Sequence, residues 1–298
     1  MCEEKNLMSK VVISGLYPFK EEQMEPNHSN SRTMGVTTIS PFLALTFGMT
    51  WGLALLVVLF TDQVVAIFGE IGYTNPLYIL AVYSPALAAI FLVWRYYGIK
   101  GLGSYFLRLT LWRMPPGWWL FLVFGIPGLF YLSAAITGTI TYPFSYDPWY
   151  TVLPALLIML LLGPIEEFGW RGLALPLLQR RFTPLWSSLI IGSIWGVWHL
   201  PAFFIGGTPH SQWVFAEFFV GAIALSVIMT AMFNAARGSI LTAALFHFQL
   251  NNPIWPDAQP WVTILFASAA VIVVLLNRRT MFTSKDAVTE VLMPSKDV

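Results

Sequence analysis

Apolar positions in this chain fall in long unbroken runs. They follow neither the alternation of a half-buried strand nor the one-sided stripe of a soluble helix. Eight such runs succeed one another at roughly 41–61, 76–97, 117–139, 152–178, 185–205, 214–236, 239–252 and 260–277. Most approach the roughly 20 residues a helix needs to cross a bilayer. Backbone groups in lipid are satisfied only in helices or closed barrels, and runs of this length are helical. The pattern therefore predicts an all-α, polytopic membrane protein with about eight transmembrane helices, in which 239–252 is short enough to be partly re-entrant.

Polar residues set the boundaries. Residues 1–38 read as a polar cytosolic N-terminal tail, 39–280 as one transmembrane domain and 281–298 as a cytosolic C-terminal tail. Between Gly101 and Arg113, apolar and basic positions share a helical spacing over a length too short to cross, which predicts a helix lying along the inner interface. A composition of 57% hydrophobic and 10% charged residues excludes an ordinary soluble domain. A net charge of +1 supplies no basic field, so no nucleic-acid partner is expected. The one cysteine, Cys2, excludes disulfides and cysteine-based metal sites. Asn27-His28-Ser29 has the glycosylation pattern, but this topology puts it on the cytosolic side.

Cations sort by face. Connections 62–75, 140–151, 206–213 and 253–259 contain no Lys or Arg and carry acids such as Asp62, Glu70, Asp147 and Asp257. With eight crossings, every Lys and Arg except Arg171 falls on the opposite face, which the positive-inside rule assigns to the cytosol together with both termini. The expected location is a prokaryotic cytoplasmic membrane, with membrane lipid as the surrounding partner.

Against this background the run 152–178 is anomalous, because it contains Glu166, Glu167 and Arg171. An ionisable residue near a helix centre costs about 2.5–3.5 kcal/mol on insertion scales, so three of them demand partners, and function is the default explanation. Glu167 and Arg171, four apart, can pair along the helix, which leaves Glu166 without an intrahelical cation. Elsewhere in the spans the polar groups able to meet them are His199, His247 and Asn251. Counted at 1.5 Å per residue from cytosolic markers, Glu166, His199 and His247 lie at depths of roughly 21, 20 and 15 Å, one layer near mid-membrane. Ser188, Gly192, Gly196 and His199 share one side of their helix, and small residues at that spacing mark a close packing seam. His247 and Asn251 also face one way. Glu217, at the outer start of its span, reads as interfacial, His210 as a solvated loop residue, and Trp195, Trp198 and Phe248 as packing or interface anchors.

Glu166-Glu167-Phe168-Gly169-Trp170-Arg171, Trp195-Gly196-Val197-Trp198-His199 and His247-Phe248-Gln249-Leu250-Asn251, in that order, resemble the motifs of the type II CAAX prenyl protease and bacteriocin-processing (CPBP, or Abi) family of intramembrane proteases. The family usually has Phe where this chain has Trp195, an aromatic exchange expected to alter packing only. The resemblance implies an endopeptidase like those that remove the last three residues after a prenylated cysteine, acting on a peptide or lipidated protein that arrives from the cytosolic side. Glu166 is then the general base, His199 helps hold the water, and His247 with Asn251 stabilises the tetrahedral intermediate. Glu167 and Arg171 orient the site. Two routes stay open: Zn2+ or another divalent metal held by Glu166, His199 and His247, with the family's usual metalloprotease label leaning that way, or direct action of these groups on water. Two other functions stay open as well, a non-catalytic immunity or scaffold protein of the same fold and a transporter or proton relay.

Overall fold

The computed structural model describes residues 33–140 and 146–293. Cys2 and Asn27-His28-Ser29 lie outside the described residues. Nine helices of five residues or more per element organise those that are described: α1 (Ile39–Leu59), α2 (Thr61–Phe68), α3 (Pro76–Phe106), α4 (Pro116–Thr137), α5 (Trp149–Gln179), α6 (Pro184–Trp198), α7 (Phe215–Ala235), α8 (Ile240–Leu250) and α9 (Trp261–Leu276). No strand occurs among the described residues. The protein is an all-α, polytopic membrane protein.

The eight apolar runs all become helix, but they are not eight full crossings. Five helical stretches are long and apolar enough to cross a membrane: Val36–Leu59, Pro76–Thr110, Pro116–Thr137, Trp149–Gln179 and Phe215–Ala235. Helices α6, α8 and α9 have 15, 11 and 16 residues, short of the expectation. Proline accounts for two of the early stops. Pro201 and Pro209 each lie in the first turn of a short 3-10 segment that follows α6, and Pro253 stands three residues beyond the end of α8, where its ring cannot continue a helix.

Local chemistry sets the remaining boundaries. The Asn75 side chain accepts from the backbone N–H of Leu77 at 3.0 Å, and Pro76 follows it, a strong N-terminal signal for α3. At Gly98 the backbone turns to φ 64°, ψ −165°, so the membrane-length part of α3 ends at 97, as its apolar run does. Beyond that kink the structure corrects the expected interfacial helix. Tyr105 and Arg108 are buried at 0% and 1% exposure, and the Tyr105 hydroxyl donates to the Phe168 carbonyl. Arg108 is therefore a second buried cation, alongside Arg171.

The small-residue seam on α6 is present. A Cβ on Gly192 would stand 2.7 Å from the Ile223 Cα, and one on Gly196 would stand 2.7 Å from the Phe219 ring. The Ser226 hydroxyl donates to the Ser188 carbonyl at 2.9 Å, so α6 and α7 meet almost backbone to backbone.

The bundle has two unlike ends. At one, Arg108 donates to the carbonyls of Gly238 (2.9 Å), Gly172 (2.6 Å) and Val291 (2.8 Å). Gln179 and Asn234 exchange amide hydrogen bonds, and the Val288 N–H donates to Asn234 Oδ1 at 3.1 Å. Arg180 donates to the carbonyls of Met34 and Thr289 and lies 3.5 Å from Glu290. Within the segment expected as a cytosolic C-terminal tail, 288–293 forms a strap bound across the bundle, with Val291 1% exposed. At the other end, connections 69–75, 199–214 and 252–259 surround a cavity.

Candidate active site

Helix α5 carries the central residues on an irregular backbone. A 3-10 turn over Gly163–Ile165 leads into a single α-turn at Glu166–Gly169, and Trp170–Ala174 then widens to π geometry. Widened turns of this kind gather at functional sites because they re-aim the side chains around them. Gly169 sits where a Cβ would meet the Pro85 backbone at 2.6–2.7 Å, so α3 and α5 touch directly beneath the glutamates.

The two adjacent carboxylates have different partners. Glu167 and Arg171 are fully buried at 0% exposure and form the expected pair, with Arg171 Nη1 3.1 Å from Oε2. Glu167 Oε1 also accepts from His247 Nδ1 at 2.7 Å. This second link fixes the imidazole with its proton on Nδ1 and leaves Nε2 facing the cavity. Glu166, 4% exposed, accepts through Oε2 from the indole N–H of Trp195 at 2.8 Å. Trp195 does more than pack. Its backbone carbonyl receives the Nδ1 proton of His199 at 2.9 Å, its ring meets His199 and His247 edge-on at 5.5 Å, and Arg171 lies 5.1 Å from its centroid. A phenylalanine here would have no N–H to give the carboxylate.

Glu166, His199, His247 and Asn251 all line one cavity of about 610 Å³, so the structure brings together the four residues expected to act. Asn251 Nδ2 and His247 Nε2 converge on Gly163, where a Cβ would stand 2.8 Å from that imidazole nitrogen. Only glycine leaves this corner open.

The sequence reading missed His210. Its ring lies 5.2 Å from that of His199 and packs with Phe203, Trp213 and Phe218, so it belongs to the cavity wall and is not a solvated loop residue. Burial pushes its pKa down to about 4, because the charged imidazole would lose its hydration. Glu217, expected at the interface, lines the outer part of the same cavity.

The metal option meets a geometric test. Glu166, His199 and His247 share the cavity, but among the described residues no group of three His, Cys, Asp or Glu side chains is arranged to hold a metal ion. No step below passes through an ion.

Residues 148–252 match the family model described as Type II CAAX prenyl endopeptidase Rce1-like. The resemblance is confined to this segment. It runs from the start of α5 to just past Asn251 and contains every residue of the three motifs. Among curated proteins, CAAX prenyl protease 2 of Methanococcus maripaludis is 34% identical over 105 residues, a match covering 33% of this chain and 39% of that protein. The chain thus spans about two-fifths of that relative's length, centred on the Rce1-like segment.

Proposed function

We propose that the protein is an intramembrane endopeptidase in which Glu166 activates a water molecule against a peptide carbonyl. The observation that carries this reading is the division of labour between neighbouring carboxylates. Glu167 is consumed by Arg171 and His247, whereas Glu166 Oε1 has no hydrogen-bond partner among the described residues and stands beside two imidazoles and an amide.

The steps follow from the donors and acceptors available. A water between Glu166 and His199 gives one proton to the Glu166 carboxylate and directs its other hydrogen to His199 Nε2, which is an acceptor because Nδ1 holds the ring proton. The water oxygen bonds to the scissile carbon. Charge accumulates on the carbonyl oxygen, where Asn251 Nδ2–H donates to it and His247, held in place by Glu167, lies beside it. Collapse of the intermediate breaks the C–N bond, and the proton held by Glu166 passes to the leaving amine.

The test compares purified protein with Glu166→Gln in detergent, using a farnesylated CAAX peptide and a mixed peptide library, with products followed by mass spectrometry. Cleavage present in the parent and lost in the variant is the expected result. Identical product patterns in both would overturn the reading.

A further inference from the structure

The cavity that holds the site is lined entirely from one end of the bundle. Its mouth residues, among them Tyr73, His210, Trp213 and Asp257, come from connections 62–75, 206–213 and 253–259, which contain no Lys or Arg. Its floor is at Glu166 and His247. At the far end of the same helices stand Arg95, Arg108, Arg180, Arg237 and Arg278, and there the Arg108 bonds and the 288–293 strap close the bundle. Cation-bearing connections stay on the cytosolic side. The open end therefore faces away from the cytosol.

The lining also has a charge character. Glu166, Glu217 and Asp257 supply carboxylates, and neither Lys nor Arg is among the lining residues. Arg171 lies behind Glu167, fully buried and committed to it. A peptide's free carboxyl terminus entering here would lose hydration and meet like charge with no cation to receive it. Backbone amides, apolar side chains and a flanking ammonium group would not suffer this, given the aromatic wall of Trp195, Trp198 and Phe218.

Building on the peptidase reading above, we propose that the site is served from the non-cytosolic face and takes neutral or basic peptide segments cut at an internal bond. A cytosolic prenylated tail, cut three residues from its free carboxylate, meets the wrong face and the wrong charge.

Two measurements test this on the full-length protein. In a Cys2→Ser background, single cysteines are placed at the mouth (Gln212→Cys) and beside the strap (Ser284→Cys). Intact bacterial cells are then treated with a membrane-impermeant maleimide. Labelling of the mouth cysteine in intact cells, and of the strap cysteine only after permeabilisation, is expected; the reverse pattern overturns the access face whether or not the protein cleaves anything. In proteoliposomes whose orientation has been measured this way, two versions of one Lys-flanked peptide library, C-terminally amidated and free, are added outside, alongside a farnesylated CAAX peptide. Glu166-dependent products should track the mouth-out fraction, lie at internal bonds and exceed release of C-terminal tripeptides by about tenfold or more. Dominant tripeptide release would overturn the substrate class while upholding the peptidase. Absence of any Glu166-dependent product would defeat the peptidase reading, and the substrate class with it.

Discussion

One end of this bundle is held by fixed cations tied to main-chain carbonyls, and the other by neutral rings and carboxylates around a space. At the closed end Arg108 places two guanidinium nitrogens on three carbonyls from distant parts of the chain, and the amides of Gln179 and Asn234 are mutually satisfied. At the open end Glu166 Oε1, His199 Nε2 and His247 Nε2 each face the cavity from a ring or carboxylate anchored at its other polar atom. The contrast teaches how a membrane protein can afford reactive groups in lipid. Main-chain carbonyls gathered on one guanidinium and a mutually bonded pair of amides hold the closed end, while the groups proposed to react line one pocket.

Substitutions that separate the two ends sharpen this picture. Largest, Glu166→Gln should lower peptide cleavage by about a thousandfold, within the range for loss of a general base, with the thermal midpoint in detergent little changed. A large fall in that midpoint would mean the open end also carries the fold. Arg108→Ala should do the opposite. Stranding three carbonyls costs about 3 kcal/mol or more, read as a lower unfolding midpoint, while the turnover of molecules still folded is preserved. Next, Glu167→Gln leaves Arg171 unpaired and His247 poorly oriented, so kcat should drop by about 10–100-fold with KM nearly constant; a change confined to KM would contradict its positioning role. Trp195→Phe keeps an aromatic ring but removes one N–H from Glu166, for a loss of roughly tenfold or less in kcat. No change at all would return Trp195 to the packing role expected from sequence.

The smallest effect concerns His210. Its pKa is about 4 in the fold against an ordinary value of 6.5. The unfolded chain therefore binds the extra proton first as pH falls, and the stability this neutral ring contributes is full above about 6.5, declining towards 4. His210→Gln should flatten that decline, a difference of a few degrees in thermal midpoint between pH 7 and pH 4. Parallel curves for parent and variant would show the ring to be solvated after all.

Much of this was legible in the chain because it depends on period and length. The apolar runs located every helix of the bundle but the short α2, which lies in the expected connection 62–75; the four-residue step from Glu167 to Arg171 gave their ion pair, and the spacing of Ser188, Gly192 and Gly196 gave the α6–α7 seam. What escaped depends on contacts between distant segments. Arg108 looked interfacial because its partners are main-chain carbonyls, which leave no mark on a sequence. His210 looked solvated because only the fold of 199–214 turns its loop inward. The indole N–H of Trp195 looked like bulk, since nothing but tertiary packing brings it to Glu166.

The clasp at the closed end also sets an order of events during synthesis. Arg108 enters the membrane with α3, but Gly172, Gly238 and Val291 arrive 64, 130 and 183 residues later along the chain. The guanidinium must wait for each carbonyl in turn, and its last acceptor leaves the ribosome only after all nine helices have been made. A nascent chain stalled before residue 291 would hold an unfinished clasp, a ready mark by which quality control could tell an incomplete copy from a finished one.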